Sequence, residues 1–189
     1  MTTPTGPAYR LIPGGGIFCY LYCMEYRIVK AKADDLGTVM AIIDSGREIM
    51  RSCGDDRQWP DGTPSEEKLR CDIEGGNSYL VVAGDVPVAT FAFIPGPDPT
   101  YSVIEGGEWL SRAPYHVIHR LAKLSGYSGI LPAVLEWCFS RTDNIRIDTH
   151  EDNAIMRHCL EKAGFACCGV IHLADGAPRL AFQKELSDT

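Results

Sequence analysis

Ile145-Arg-Ile-Asp-Thr-His150, continued after Glu151-Asp152 by Asn153-Ala-Ile-Met-Arg-His-Cys-Leu-Glu-Lys-Ala-Gly-Phe165, is the stretch whose reading decides the architecture. Ile145 to Thr149 predicts a short strand. Apolar residues then recur at helical spacing, at Ile155, Met156, Cys159, Leu160 and Ala163. Asp152 or Asn153 supplies an N-cap, and Gly164 stops the helix as a left-handed cap does.

Working upstream, Gly126 to Gly129 precede a second helical stripe at Ile130, Leu131, Val134, Leu135 and Cys138. A strand runs from Tyr115 to about Lys123, after a Gly- and Pro-rich loop from Pro95 to Pro114. Tyr79 to Ala83 and Val86 to Ile94 are strand-like runs joined by the tight Gly84-Asp85 turn. Pro64-Ser65-Glu66-Glu67 starts a helix, with its acids where the helix dipole favours them. A first strand with Tyr26, Ile28 and Val29 spans Glu25 to Lys32, and Asp34-Asp35 open a helix through Met40, Ile43 and Met50. Downstream lie two more strands, around Ala166 to Leu173 and Leu180 to Lys184. This order predicts an α/β (α+β) domain around a mixed sheet of about seven strands flanked by helices.

With 189 residues, 45% hydrophobic and 23% charged, the chain suits one well-cored domain, expected over residues 24–189. Residues 1–23 carry Pro4, Pro7, Pro13 and Gly14-Gly15-Gly16, and are expected to be a disordered or mis-called leader. The net charge of −7 and pI near 5.2 argue against nucleic acid or an anionic membrane as partner and suit an amine-bearing substrate. No run is long enough to span a membrane, and the apolar Ile17 to Cys23 lacks the basic lead and cleavage site of a secretory signal, so the expected location is the cytoplasm. Eight cysteines stand singly or as the pair Cys167-Cys168, without Cys-x-x-Cys. They read as small reduced core thiols, and neither they nor His158 and His172 predict a metal site.

The Asn153-led helix ending in Glu161-Lys162-Ala163-Gly164-Phe165, directly behind its strand, resembles the motif B region of the GNAT (GCN5-related) N-acetyltransferase family. The strand order from Glu25 to Leu186 is similar to that family as well. The resemblance implies a GNAT fold and transfer of an acetyl group from acetyl-CoA to a primary amine, in a ternary complex with a small or amino-acid-like acceptor. Oligomeric state stays open, a homodimer being one expectation.

By the same resemblance, Leu121, Ala122 and Lys123 contact the pantetheine through backbone groups. Gly126, Tyr127, Ser128, Gly129 and Ile130 meet the pyrophosphate, with Asn153 as a further cofactor contact. Glycines before a helix N-terminus form an anion site on physical grounds too. Against the family pattern Arg/Gln-x-x-Gly-x-Gly/Ala, however, only Gly129 is kept.

An attacking amine must lose a proton, so a base in hydrogen-bond reach is required. His119 is the candidate, placed two residues before Leu121 and expected on the same strand face; the other reading is a strand histidine satisfied by a backbone partner. His116 is expected on the opposite face. The backbone N–H of Leu121 is the expected oxyanion donor. Where the family often has a tyrosine that protonates the departing thiolate, this chain has Leu160. His150 is either a substrate contact or a histidine at the helix start. Trp59, Glu108 and Trp109, in the two long loops, are acceptor contacts or close a core edge. The departures in the glycine loop and at Leu160 motivate a second functional expectation, a degenerate domain acting as an acyl-CoA sensor or interaction module.

Overall fold

The computed structural model describes residues 25–186, so the expectation for residues 1–23 lies outside the described residues. Seven strands and four α-helices follow in the expected order. They are β1 (Tyr26–Lys30), α1 (Leu36–Ser52), α2 (Glu66–Glu74), β2 (Ser78–Ala83), β3 (Val86–Pro95), β4 (His116–Lys123), α3 (Ile130–Phe139), β5 (Asn144–Thr149), α4 (Ala154–Lys162), β6 (Ala166–His172) and β7 (Pro178–Glu185). The helix start expected at Asp34-Asp35 is a short 3-10 turn, Ala33–Asp35, leading into α1. Local chemistry sets several other boundaries. Ser65 caps α2 by accepting from Lys68 N at 3.2 Å, Asn153 caps α4 by accepting from Met156 N at 3.0 Å, and Gly164 takes the left-handed φ of 82° that ends α4.

The strands form one sheet in the order β1-β2-β3-β4-β5-β7-β6. All pairings are antiparallel except β4 with β5. One face packs against α3 and α4, where Phe91, Phe93, Ile118, Val134, Cys138, Ile145, Leu160 and Phe182 form the main core. The other face meets α1 and α2 through Val39, Ile42, Ile43, Leu69, Leu80, Val82 and Ala122. Further along that second face, Tyr101 seals Val117, Ile171 and Ala181. No helix among the described residues is long and apolar enough to cross a membrane.

The described cysteines, Cys53, Cys71, Cys138, Cys159, Cys167 and Cys168, are all free thiols. Their expected placement in the core is corrected: only Cys138 and Cys168 are buried, while Cys53, in the turn after α1, Cys71 on α2 and Cys167 on β6 are exposed.

Two irregularities shape the centre of the sheet. β4 and β5 pair only at His116 with Ile145 and Val117 with Arg146, and beyond that point the strands part. On its other side β4 carries one extra residue against β3: Thr90 to Ala92 spans the same ladder as Ala122 to His119. The bulge falls at Arg120, whose φ of 53° is the one left-handed non-glycine conformation among the described residues.

Candidate active site

The bulge corrects the expected arrangement of His119 and Leu121. With the extra residue between them, strand alternation breaks, so the two side chains lie on opposite faces. His119 pairs with Ala92 and shares the face of Ala122, whereas Leu121 packs against the α3/α4 core. His116 stacks on Phe93 and faces away from His119, as expected.

Where β4 and β5 part, two cavities meet. The first, about 260 Å³, runs between the splayed end of β4, the start of α3 and the start of α4. The second, about 700 Å³, opens on the other side and has room for a metabolite-sized ligand. Gln58, Trp59, Leu121, Leu131 and Met156 line both and form the passage between them.

The first cavity collects most of the residues expected to meet CoA: Leu121, Ala122, Lys123, Ser128, Gly129, Ile130 and Asn153. Gly129 caps α3 with φ 74°, a conformation that costs a residue with a Cβ about 1–2 kcal/mol. The first turn of α3 thus points its free N–H groups at the cavity, although Pro132 removes one donor. Apolar Ile130, Ile155 and Met156 suit a pantetheine arm, and Lys123 is the only cation among the described lining residues to suit a phosphate. The donor set therefore fits CoA, with a sparse phosphate end. Gly126 and Tyr127 do not line this cavity, and Tyr127 packs on the core instead. Asn153 has both ends of its amide engaged, as the α4 cap and as donor to Gln58 Oε1 at 3.0 Å.

The second cavity holds the chemistry. His119 on β4, Asp98 from the β3–β4 loop and Asp148 on β5 all line it. His119 Nε2 lies 3.0 Å from Asp98 Oδ2, and Nδ1 lies 3.6 Å from Asp148 Oδ1. Only the first distance is a hydrogen bond. The Asp98 carboxylate can only accept, so Nε2 donates to it, and Nδ1 is the ring nitrogen on the Asp148 side. The hydrogen bond from His119 holds Asp98 down at about 2 against the opposing effect of burial. Buried Tyr101 donates to Asp148 Oδ1 at 2.6 Å and fixes that carboxylate. Desolvation pushes the Tyr101 hydroxyl well above its ordinary value, so it stays a donor. The partners of His119 are thus carboxylates, not the backbone group of the alternative reading.

Arg120, which also lines this cavity, brings Nε within 2.7 Å of Asp72 Oδ2, an ion-pair contact that leaves both atoms without a hydrogen bond. Lys68 shares the same carboxylate at 3.6 Å.

The remaining expected residues separate cleanly. Trp59 lines both cavities. Glu108 is exposed and Trp109 packs beside Tyr101, donating to its carbonyl at 3.2 Å; neither lines a cavity, so the acceptor-contact expectation is not met, and of the two only Trp109 closes a core edge. His150 is 4% exposed, lines neither cavity and accepts from Asp152 N at 3.2 Å, which makes it a histidine of the helix start. Leu160 is fully buried in the core, and no tyrosine lines either cavity among the described residues.

Gln58 was not expected and is the hub of the passage. Its Oε1 accepts from Thr149 Oγ1 at 2.9 Å, His150 N at 3.1 Å and Asn153 Nδ2 at 3.0 Å. Its backbone N–H donates to buried Asp55 at 3.0 Å, and its carbonyl accepts from Arg179 at 3.0 Å. The α1–α2 loop is thereby tied to the β5–α4 corner. Arg57 adds an ion pair to Asp152 in the same corner.

No family model matches the chain, and no curated protein matches it in sequence. Solved structures do. An acetyltransferase of the GNAT family from Streptococcus agalactiae is 29% identical, with a TM-score of 0.78 over 86% of this chain and 96% of that one. A GNAT-family acetyltransferase from Listeria monocytogenes is 19% identical, with a TM-score of 0.62 over 86% of this chain and 96% of that one. The NatC complex bound to Gag peptide and CoA contains a chain that is 16% identical, with a TM-score of 0.55 over 87% of this chain and 100% of that one. The sheet order, the parting of β4 and β5 and these likenesses agree, and the chain has the GCN5-related N-acetyltransferase fold.

Proposed function

We propose that this chain is an acetyltransferase that moves an acetyl group from acetyl-CoA to the primary amine of a small or amino-acid-like acceptor, by direct attack in a ternary complex. The observation that carries the reading is the Asp98–His119 pair, lining the larger cavity where it meets the one that collects the residues expected to hold CoA.

In this reading the acceptor amine approaches His119 Nδ1, which takes its proton. Asp98 keeps the ring in the productive tautomer, and the imidazolium that forms sits between two carboxylates, Asp98 and Asp148. This is the orienting logic of an acid–histidine dyad, in which the carboxylate positions the ring and stabilises its charged form. A Leu121 N–H, on the splayed stretch of β4, donates to the carbonyl oxygen as negative charge develops there. Leu121, Ala122 and Lys123 hold the pantetheine, and Ser128, Gly129 and Ile130 hold the phosphates. With Leu160 in the core and no tyrosine lining either cavity among the described residues, His119 returns the proton it has taken to the departing thiolate.

The sensor reading draws support from the sparse phosphate end and from Leu160. The acetyltransferase reading is favoured because a sensor has no use for a histidine held between carboxylates at the junction. Calorimetry with acetyl-CoA separates them from a plain interaction module. Saturable one-to-one binding is expected, and no binding up to millimolar acetyl-CoA would overturn both CoA-dependent readings.

A further inference from the structure

Arg179 is a buried cation that the fold does not neutralise. It lies on β7, is 6% exposed and donates only to carbonyls, from Nη1 to Pro178 O at 2.9 Å and from Nη2 to Gln58 O at 3.0 Å. No carboxylate among the described residues pairs with it, although Arg47, Arg51, Arg57, Arg70 and Arg120 all have one. Arg146, also buried without a carboxylate, is accounted for by the rings of Trp109 and Tyr115, each 3.8 Å from its guanidinium carbon. Arg179 has no such ring among the described residues. A buried charge left without a counter-ion is costly, so a site that keeps one is completed by a ligand of opposite sign.

The anion would arrive through the second cavity, which Arg179 lines together with Asp98, His119 and Asp148. Strand pairing fixes the spacing. Ala181 stands opposite Asp148, and Arg179 is two residues along β7 on the same face, a shift of about 7 Å. Asp148 in turn is 3.6 Å from the base nitrogen of His119. Of the other lysine and arginine side chains lining this cavity, Lys68 and Arg120 pair with Asp72 and Arg57 pairs with Asp152, so Arg179 is the one without a carboxylate.

We infer that Arg179 binds the carboxylate of the acceptor, whose amine lies at His119, and that the acceptor class is therefore amino acids rather than simple amines. This rests on the acetyltransferase reading for the placement of the amine. The planar guanidinium fork suits a carboxylate, with donors beyond the two now spent on carbonyls.

The test measures thiol release from acetyl-CoA with a panel of α-amino acids, each matched by its carboxamide. The wild-type protein is expected to favour at least one acid over its amide by about tenfold or more in kcat/KM, since rejecting the partner leaves a buried polar group unpaired. Arg179→Gln should shrink that ratio toward one, mainly through KM, and Arg179→Lys should restore part of it. If Arg179→Gln does not fold, judged by its circular dichroism melt, the wild-type ratio alone decides. Equal or better use of the amides, or release with other amines but with neither partner of any pair, overturns the inference and leaves the acetyltransferase reading standing. If no amine at all supports release, that reading fails first. Calorimetry of the same acids and amides then tests Arg179 directly, and equal affinity for both overturns it.

Discussion

Replacing Gln58 by leucine removes one acceptor oxygen from three donors and keeps most of the side-chain volume. Thr149 is fully buried and His150 nearly so, and both lose their only hydrogen-bond partner at the atoms concerned, as does the Asn153 amide. A net hydrogen bond is worth about 1 kcal/mol, and Gln58 is only half-buried, so water recovers part of the loss. The expected cost is about 2–3 kcal/mol, which for a chain of this size lowers Tm by about 4–12 °C. The function follows the stability. Gln58 and Trp59 wall both cavities, so loosening the loop should raise KM for acetyl-CoA and acceptor together. Thermal melts followed by circular dichroism, with thiol-release kinetics, measure both effects. A Tm within 2 °C of wild type would refute the claim that Gln58 ties the loop to the β5–α4 corner.

Three further outcomes are expected. Gly46→Ala in α1 should destabilise the protein: a Cβ there would sit 2.8 Å from Ala122 Cβ on β4, and overpacking costs of about 1–3 kcal/mol outweigh a helix-propensity gain of about 1 kcal/mol. A raised Tm would contradict this. The Asp98 carboxyl is held down at about 2 by His119, so its pairing stabilises the fold above pH about 4 and is lost as pH falls through about 2. Denaturant unfolding should therefore show the gap between wild type and Asp98→Asn closing from pH 5 to pH 2, and a constant gap would rule it out. Burial pushes the Cys138 thiol up to about 12, so at pH 8 a thiol reagent should modify exposed Cys53, Cys71 and Cys167 in the native protein and reach Cys138 only on unfolding. Mass spectrometry showing Cys138 modified at a similar rate in the native state would contradict that.

The fold was legible because its signals are local. The Asn153 cap, the stripe to Ala163 and the stop at Gly164 are each set within a few residues, and the structure reproduces them. The site was legible only in part. His119 stands in a strand beside the expected cofactor stretch, but its relation to Leu121 depended on a bulge at Arg120, and nothing in Ile118-His-Arg-Leu121 announces a residue with positive φ. Asp98 lies in a Gly-Pro-Asp-Pro loop whose path is set by tertiary contacts with Tyr115. Gln58 is an ordinary polar residue of a loop, important only for what the fold brings to it. A signal did exist for Asp148 and Arg146. Charged residues alternating with isoleucine in a strand sandwiched by helices imply a polar pocket on one face, and that face holds Tyr101, Tyr115 and His119. For His150 and Trp109 two readings stayed open, because residue type alone does not distinguish a cleft from a core edge.

The central claim is that His119 takes the proton from an amine during acetyl transfer. The direct measurement is thiol release from acetyl-CoA across an amine and amino-acid panel for wild type and His119→Ala, with acetyl-CoA affinity measured on both by calorimetry. The account predicts turnover by the wild type and a loss of about 10²–10⁴ in kcat/KM for the variant, with acetyl-CoA affinity changed by less than about threefold. Undiminished turnover in His119→Ala would contradict it.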